Sequence, residues 1–75
     1  MTLDEFLENL VTAIDLPNLT TISKDKSLCS IEDFDSLATL GVMTLVSMEF
    51  GKEIEGQWLW DEKITPQQLY DHVSK

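Results

Sequence analysis

Apolar residues recur at intervals of three and four along the first fourteen positions: Leu3, Phe6, Leu7, Leu10, Val11 and Ile14. At 3.6 residues per turn they fall on one stripe, so this segment is an amphipathic helix that must bury that stripe against another element. No part of the chain alternates apolar and polar residues for long enough to make a half-buried strand. The chain is therefore confined to packing helix on helix. Thr2 with Glu5 forms a capping box, and Met1 and Phe6 are spaced to close it as a hydrophobic staple. Asp15 and Pro17 supply the stop, and a helix is predicted from Leu3 to Ile14.

A second helix is predicted from Ser36 to Phe50. Leu37, Leu40, Met43 or Thr44, Val46 or Ser47, and Phe50 follow its period, while Val42, Leu45 and Met48 spread apolar surface beyond one stripe. Such a helix is either central to a bundle or carries an exposed apolar face for a partner. Gly51 is a natural C-terminal stop. Ile54, Leu59 and one tryptophan then anchor a short third helix. Trp58 and Trp60, two residues apart, point to roughly opposite faces, which predicts one in the core and one partly exposed. Thr65-Pro66-Gln67-Gln68 joins a capping box to a proline in the first turn, and opens a last helix over Pro66 to Val73 with Leu69, Tyr70 and Val73 inward. Between Asp15 and Asp35 lie some twenty residues rich in Ser, Thr, Asp and Lys. A loop of that length in a small domain implies function or a short unseen element. Its scattered Leu16, Leu19, Ile22, Leu28 and Ile31 predict that it packs down on the core. The expected architecture is all-α, a single-domain four-helix bundle over 1–75 with one long connection and one short helix.

Charge and composition narrow the function. Fourteen Asp and Glu stand against five Lys and no Arg, a formal charge of −9. Phosphate backbones and anionic membranes repel such a chain, and basic protein surfaces attract it. No apolar run reaches the length of a membrane span, and Met1-Thr2-Leu3-Asp4-Glu5 has no basic leader character. Cys29 has no second cysteine for a disulfide, and only His72 to share a zinc site, so a reducing compartment, most simply the cytoplasm, is expected. With no basic neighbour to lower its pKa, Cys29 reads as a small buried apolar filler, and His72 as a surface residue near a helix end. One histidine and no arginine leave no nucleophile–base pair, so no enzymatic activity is expected. The acidic groups Glu53-Glu55 and Asp61-Glu62 read as a solvated face; their spacing matches no calcium loop, and no metal is expected.

Chemistry concentrates at Asp35-Ser36-Leu37. An acidic residue and a serine stand where the loop gives way to the second helix, placing a hydroxyl at the positive end of a helix dipole, where a phosphate is stabilised. Asp35 and Ser36 are also both good N-cap residues, and capping alone accounts for many such pairs. Phe34 and Leu37 flank the serine and read as core anchors of the junction.

Taken with the amphipathic first helix, the long loop, Glu49-Phe50-Gly51, Glu53-Ile54, a short third helix and Ile64-Thr65 opening the last, this junction resembles that of acyl carrier proteins. The likeness runs over nearly the whole chain. It implies that Ser36 is the attachment point for phosphopantetheine, shaped by Asp35 and Leu37, and delivered from coenzyme A by a separate, magnesium-dependent phosphopantetheinyl transferase. It further implies a monomeric shuttle meeting acyl- or aminoacyl-loading and acyl-processing enzymes. Met43, Thr44, Ser47, Met48 and Trp58 are the expected partner-facing residues, with Val46 joining Met43 and Met48 as pocket lining. The exposed tryptophan would gate an acyl pocket or anchor a partner.

The departures from that family are informative. Many fatty-acid carriers place Glu or Asp along the exposed face of the second helix, where this chain has Ala38, Gly41, Ser47 and Met48. Asp33 stands where the family often has glycine. Trp58 and Trp60 enlarge the short third-helix region, and together these changes point to a less electrostatic, more apolar partner surface and a specialised pathway of fatty-acid or secondary-metabolite synthesis. A stand-alone peptidyl carrier shares the fold and the attachment chemistry. A different class, an unmodified acidic helical adaptor, is also consistent with an exposed apolar second helix.

A charge of −9 on so small a chain is self-repulsive at low ionic strength. Added salt or magnesium is expected to raise the melting temperature; a Tm flat or falling with salt, followed by circular dichroism, contradicts this.

Overall fold

The first helix begins where its cap dictates. Thr2 accepts from the Glu5 backbone N–H at 3.2 Å, while the Glu5 carboxylate accepts from the Thr2 N–H at 3.1 Å. The Thr2 N–H and the Thr2 hydroxyl, which also donates to the Glu5 carboxylate at 3.1 Å, hold the Glu5 carboxyl below its ordinary pKa. In the computed structural model, which describes residues 1–74, this helix, α1, spans Leu3–Ile14. It ends at Asp15 in the left-handed conformation. Three further helices follow: α2 (Ser36–Phe50), α3 (Gly56–Asp61) and α4 (Pro66–Val73). The spans of α1, α2 and α4 match those predicted, because each of these starts carries a local signal; α3 stands where a short third helix was expected, although Glu55 before it makes no side-chain cap. Thr65 and Gln68 reproduce the reciprocal cap of α1 at α4, and Gly51 closes α2 with a positive φ of 63°. The described residues contain no strand.

One core unites the helices. Phe6, Leu10, Leu28, Val42, Val46, Leu59 and Leu69 are wholly buried, with Ile14, Phe34, Ile54, Ile64 and Val73 close behind. The rings of Phe6, Phe50 and Tyr70 pack within 5.4–6.2 Å of one another. Tyr70 also donates its hydroxyl to the Met1 carbonyl at 2.5 Å, tying the start of the chain to α4.

The long connection holds the short element that its length implied, a 3₁₀ turn at Leu28–Ser30. Leu28 is the buried plug, and its N–H donates to the Ile64 carbonyl at 2.9 Å. Leu16, Leu19, Ile22 and Ile31 pack against the core, as their spacing predicted. Cys29 is only half-buried, its thiol 3.8 Å from the Ser27 hydroxyl, and not the enclosed filler expected.

The second helix corrects the expected stripe. Its inward row is Ala38, Thr39, Val42 and Val46, whereas Leu37 and Leu40 face solvent. The cause is Gly41. A Cβ there would lie 2.2 Å from the Ala13 carbonyl oxygen, so α1 and α2 meet backbone to backbone. Only small side chains fit beside such a crossing, and the larger ones turn outward. Ala38 and Gly41 are therefore packing positions and not part of an exposed partner face. Val46, expected to line a pocket, is instead wholly buried in the core.

Gly41 offers a test of sign. In an unobstructed helix, Gly→Ala stabilises by up to about 1 kcal/mol. Here the methyl must displace α1, and Gly41→Ala is expected to destabilise by about 1–3 kcal/mol in urea unfolding. A stabilised variant would mean that the two helices separate freely.

Candidate functional site

Ser36 is the first residue of α2, preceded by the capping residue Asp35 in extended conformation. The Asp35 carboxylate accepts from the Ala38 N–H at 3.0 Å, so the capping role falls to Asp35. The Ser36 side chain is exposed, and no described residue hydrogen-bonds its hydroxyl. The two residues thus divide the work that sequence alone left open between them. Asp33 adopts a φ of 66°. This is the left-handed region where glycine is free of strain and where Asp is among the better tolerated alternatives. The turn before the junction therefore keeps a glycine-like backbone without the glycine.

Phe34 anchors the junction, with 6% of its surface exposed. Leu37 does not, at 76% exposed. It stands outward beside Leu40, at 56%, and with Met48, at 77%, forms an apolar edge on α2. Leu37 and Leu40 separate two grooves. One, of about 490 Å³, runs between α1 and α2 past Ala13, Thr44 and Met48. The other, of about 480 Å³, lies between α2 and α3 and is lined by Ser36, Leu37, Thr39, Leu40, Met43, Gly56, Gln57 and Trp60.

Of the residues expected to face partners, Met43 shares the groove of Ser36, and joins Thr44, Ser47 and Met48 in a smaller one beside Glu53 and Ile54. Trp58 lies apart from these. Its ring stacks on His72 at 4.7 Å, in a separate depression with Glu53 and Glu55. Neither tryptophan is in the core, contrary to the expected division. Trp58 is half-buried and Trp60 is 40% exposed, because Leu59 between them takes the inward position.

Sequence reasoning did not single out Thr39, and it named Trp60 only as one of two tryptophans without placing it at this site. Thr39 is a buried polar side chain whose hydroxyl donates to the Asp35 carbonyl at 2.9 Å and accepts from Trp60 Nε1 at 2.9 Å. Trp60 thereby stands over the start of α2, 5.5 Å from Phe34. The available signal was the four-residue spacing of Gly56 and Trp60, which places them on one face of α3 beside the inward Leu59. Among the described residues, no group of three or more His, Cys, Asp or Glu is gathered to hold a metal, and no helix is long and apolar enough to cross a membrane.

Comparison with protein-family models, with curated proteins and with solved structures yields no match. The reading of this site therefore rests on its own geometry and on the resemblance of the sequence.

The division of labour at the junction is measurable. Asp35→Ala is expected to cost about 1 kcal/mol, the usual loss of an N-cap. Ser36→Ala, which removes no hydrogen bond, is expected to leave the urea midpoint within experimental error. A cost at Ser36 comparable to that at Asp35 would assign the cap to the serine.

Proposed function

We propose that this chain is a discrete acyl carrier of the phosphopantetheine-dependent type, with Ser36 as the attachment residue, serving a dedicated biosynthetic pathway. The observation that carries the reading is the free, exposed Ser36 hydroxyl at the first position of α2, relieved of capping by Asp35. The resemblance to acyl carrier proteins supplies the identity of the group. The observed site fits it: the amide end of α2 favours a phosphodiester at Ser36, and an apolar groove of about 480 Å³ opens directly beside the serine. The left-handed backbone of Asp33 removes one departure from the family pattern, since the conformation is kept where the residue differs.

With none of the described residues bonded to the hydroxyl, its proton leaves to a base on a separate transferase, as the phosphoester forms at Ser36 Oγ and the nucleotide half of coenzyme A departs. When bound, the arm supplies a thiol that holds acyl or aminoacyl cargo as a thioester. The protein's own part is to present the attachment point and a recognisable surface. Leu37 and Met48, with Met43, Thr44 and Ser47 around them, give α2 an apolar contact face. The overall charge of −9 draws in basic enzymes and keeps copies of the chain apart as monomers. Trp58 adds a second contact position at the other end of α3. A cytoplasmic, non-catalytic shuttle is the role these features support.

One observation favours a second reading. Leu37, Leu40 and Met48 form an exposed apolar edge of the kind an unmodified adaptor would use. A peptidyl carrier differs only in its loading enzyme, and aminoacyl loading by an adenylating enzyme distinguishes it.

Incubation with coenzyme A, magnesium and a broad-specificity phosphopantetheinyl transferase is expected to add one phosphopantetheine to the wild type and none to Ser36→Ala, read by intact-protein mass. No addition with several such transferases transfers the conclusion to the adaptor.

A further inference from the structure

Beside Ser36 the seam between α2 and α3 is closed by two contacts. A Cβ on Gly56 would lie 2.8 Å from Thr39 Cγ2 and 3.4 Å from the Met43 sulphur, so the start of α3 rests directly on α2. One turn later, Trp60 reaches back across the seam and donates from Nε1 to Thr39 Oγ1 at 2.9 Å. The Thr39 hydroxyl proton is already committed to the Asp35 carbonyl, which leaves its lone pairs turned toward the indole and fixes the acceptor that Trp60 uses. The other side of the ring system is braced by Phe34.

Behind these contacts lie Val42, Val46 and Leu59, all wholly buried, and none of them lines the groove beside Ser36. A core packed at ordinary density has no space for an added chain unless its helices part. Parting α2 from α3 here breaks the Thr39–Trp60 bond, lifts Gly56 off Thr39 and exposes Leu59. Outside the seam, the groove already offers Leu37, Leu40 and Met43 as an apolar floor and the partly exposed indole as a wall.

We propose that Trp60, pinned by Thr39, is a specificity-determining wall that keeps a group tethered to Ser36 in the surface groove and out of the helical core. This rests on the carrier reading. The cargo it suits is a short or medium acyl group, or a flat aromatic one that stacks on the indole. A long saturated chain finds apolar cover for only part of its length.

The test uses isotope-labelled protein carrying octanoyl-phosphopantetheine, loaded from octanoyl-coenzyme A by the same transferase, compared by NMR with protein carrying the arm alone. The expected difference is a shift of the Trp60 indole N–H and of the methyl groups of Leu37, Leu40 and Met43, with Val42, Val46 and Leu59 unmoved. In Trp60→Phe, which keeps a ring but loses the donor, the shifts are expected to spread to Val42 and Leu59. Core shifts in the wild type overturn the placement while leaving the carrier reading intact. A confined pattern in Trp60→Phe overturns the role given to the Thr39–Trp60 bond. An unchanged mass after loading overturns the carrier reading, and the placement with it. The wild-type comparison decides the placement even where the variant does not fold.

Discussion

The close approach of α1 and α2 at Ala13 and Gly41 governs the arrangement of the whole bundle. Where a Cβ would stand 2.2 Å from a carbonyl oxygen, the helices meet without side chains between them. The inward row of α2 must then be short, and Ala38, Val42 and Val46 supply it. A helix with apolar residues around its whole circumference has more apolar surface than this crossing can bury. The excess, Leu37, Leu40 and Met48, goes to solvent along an edge that begins at Ser36, whose hydroxyl no described residue hydrogen-bonds. Packing in the core and chemistry at the surface are thus linked through one glycine.

Thr39 carries that link to the other side of α2. A buried hydroxyl without partners is costly, and this one makes two bonds, one to the Asp35 carbonyl at the junction and one from the indole of α3. Asp35, Thr39 and Trp60, the wall of the adjoining groove, are therefore held in one hydrogen-bonded unit beside the serine. The unit joins the cap of α2 to α2 and α3, which favours a fixed geometry around Ser36. Asp33 contributes from the loop side by holding a left-handed turn that delivers the chain into the cap.

The extents of α1, α2 and α4 were legible because caps and stops are local. Thr2 with Glu5, Thr65 with Gln68, and Gly51 each act within a few residues of their own position, and no distant contact is needed to read them. The junction at Asp35-Ser36-Leu37 was legible for the same reason. The 3₁₀ turn at Leu28–Ser30 was foreseen only as an interruption of the loop, since its fixing bond runs from Leu28 to the distant Ile64. Leu37 was misplaced because periodicity treats a large apolar residue as inward, and it carries no information on how close two helix axes come.

Spacing, capping and charge are properties of neighbours along the chain. They suffice to dictate an all-helical protein, the spans of its first, second and last helices, its strongly acidic character and a serine at the mouth of the second helix. Which face of α2 turns inward, that Gly41 is a contact with α1, and that Trp60 rather than Trp58 stands beside Ser36 emerge only once the helices are packed. Those outcomes depend on backbone distances between segments far apart in sequence, where a gap of one methyl group decides which side chain is buried.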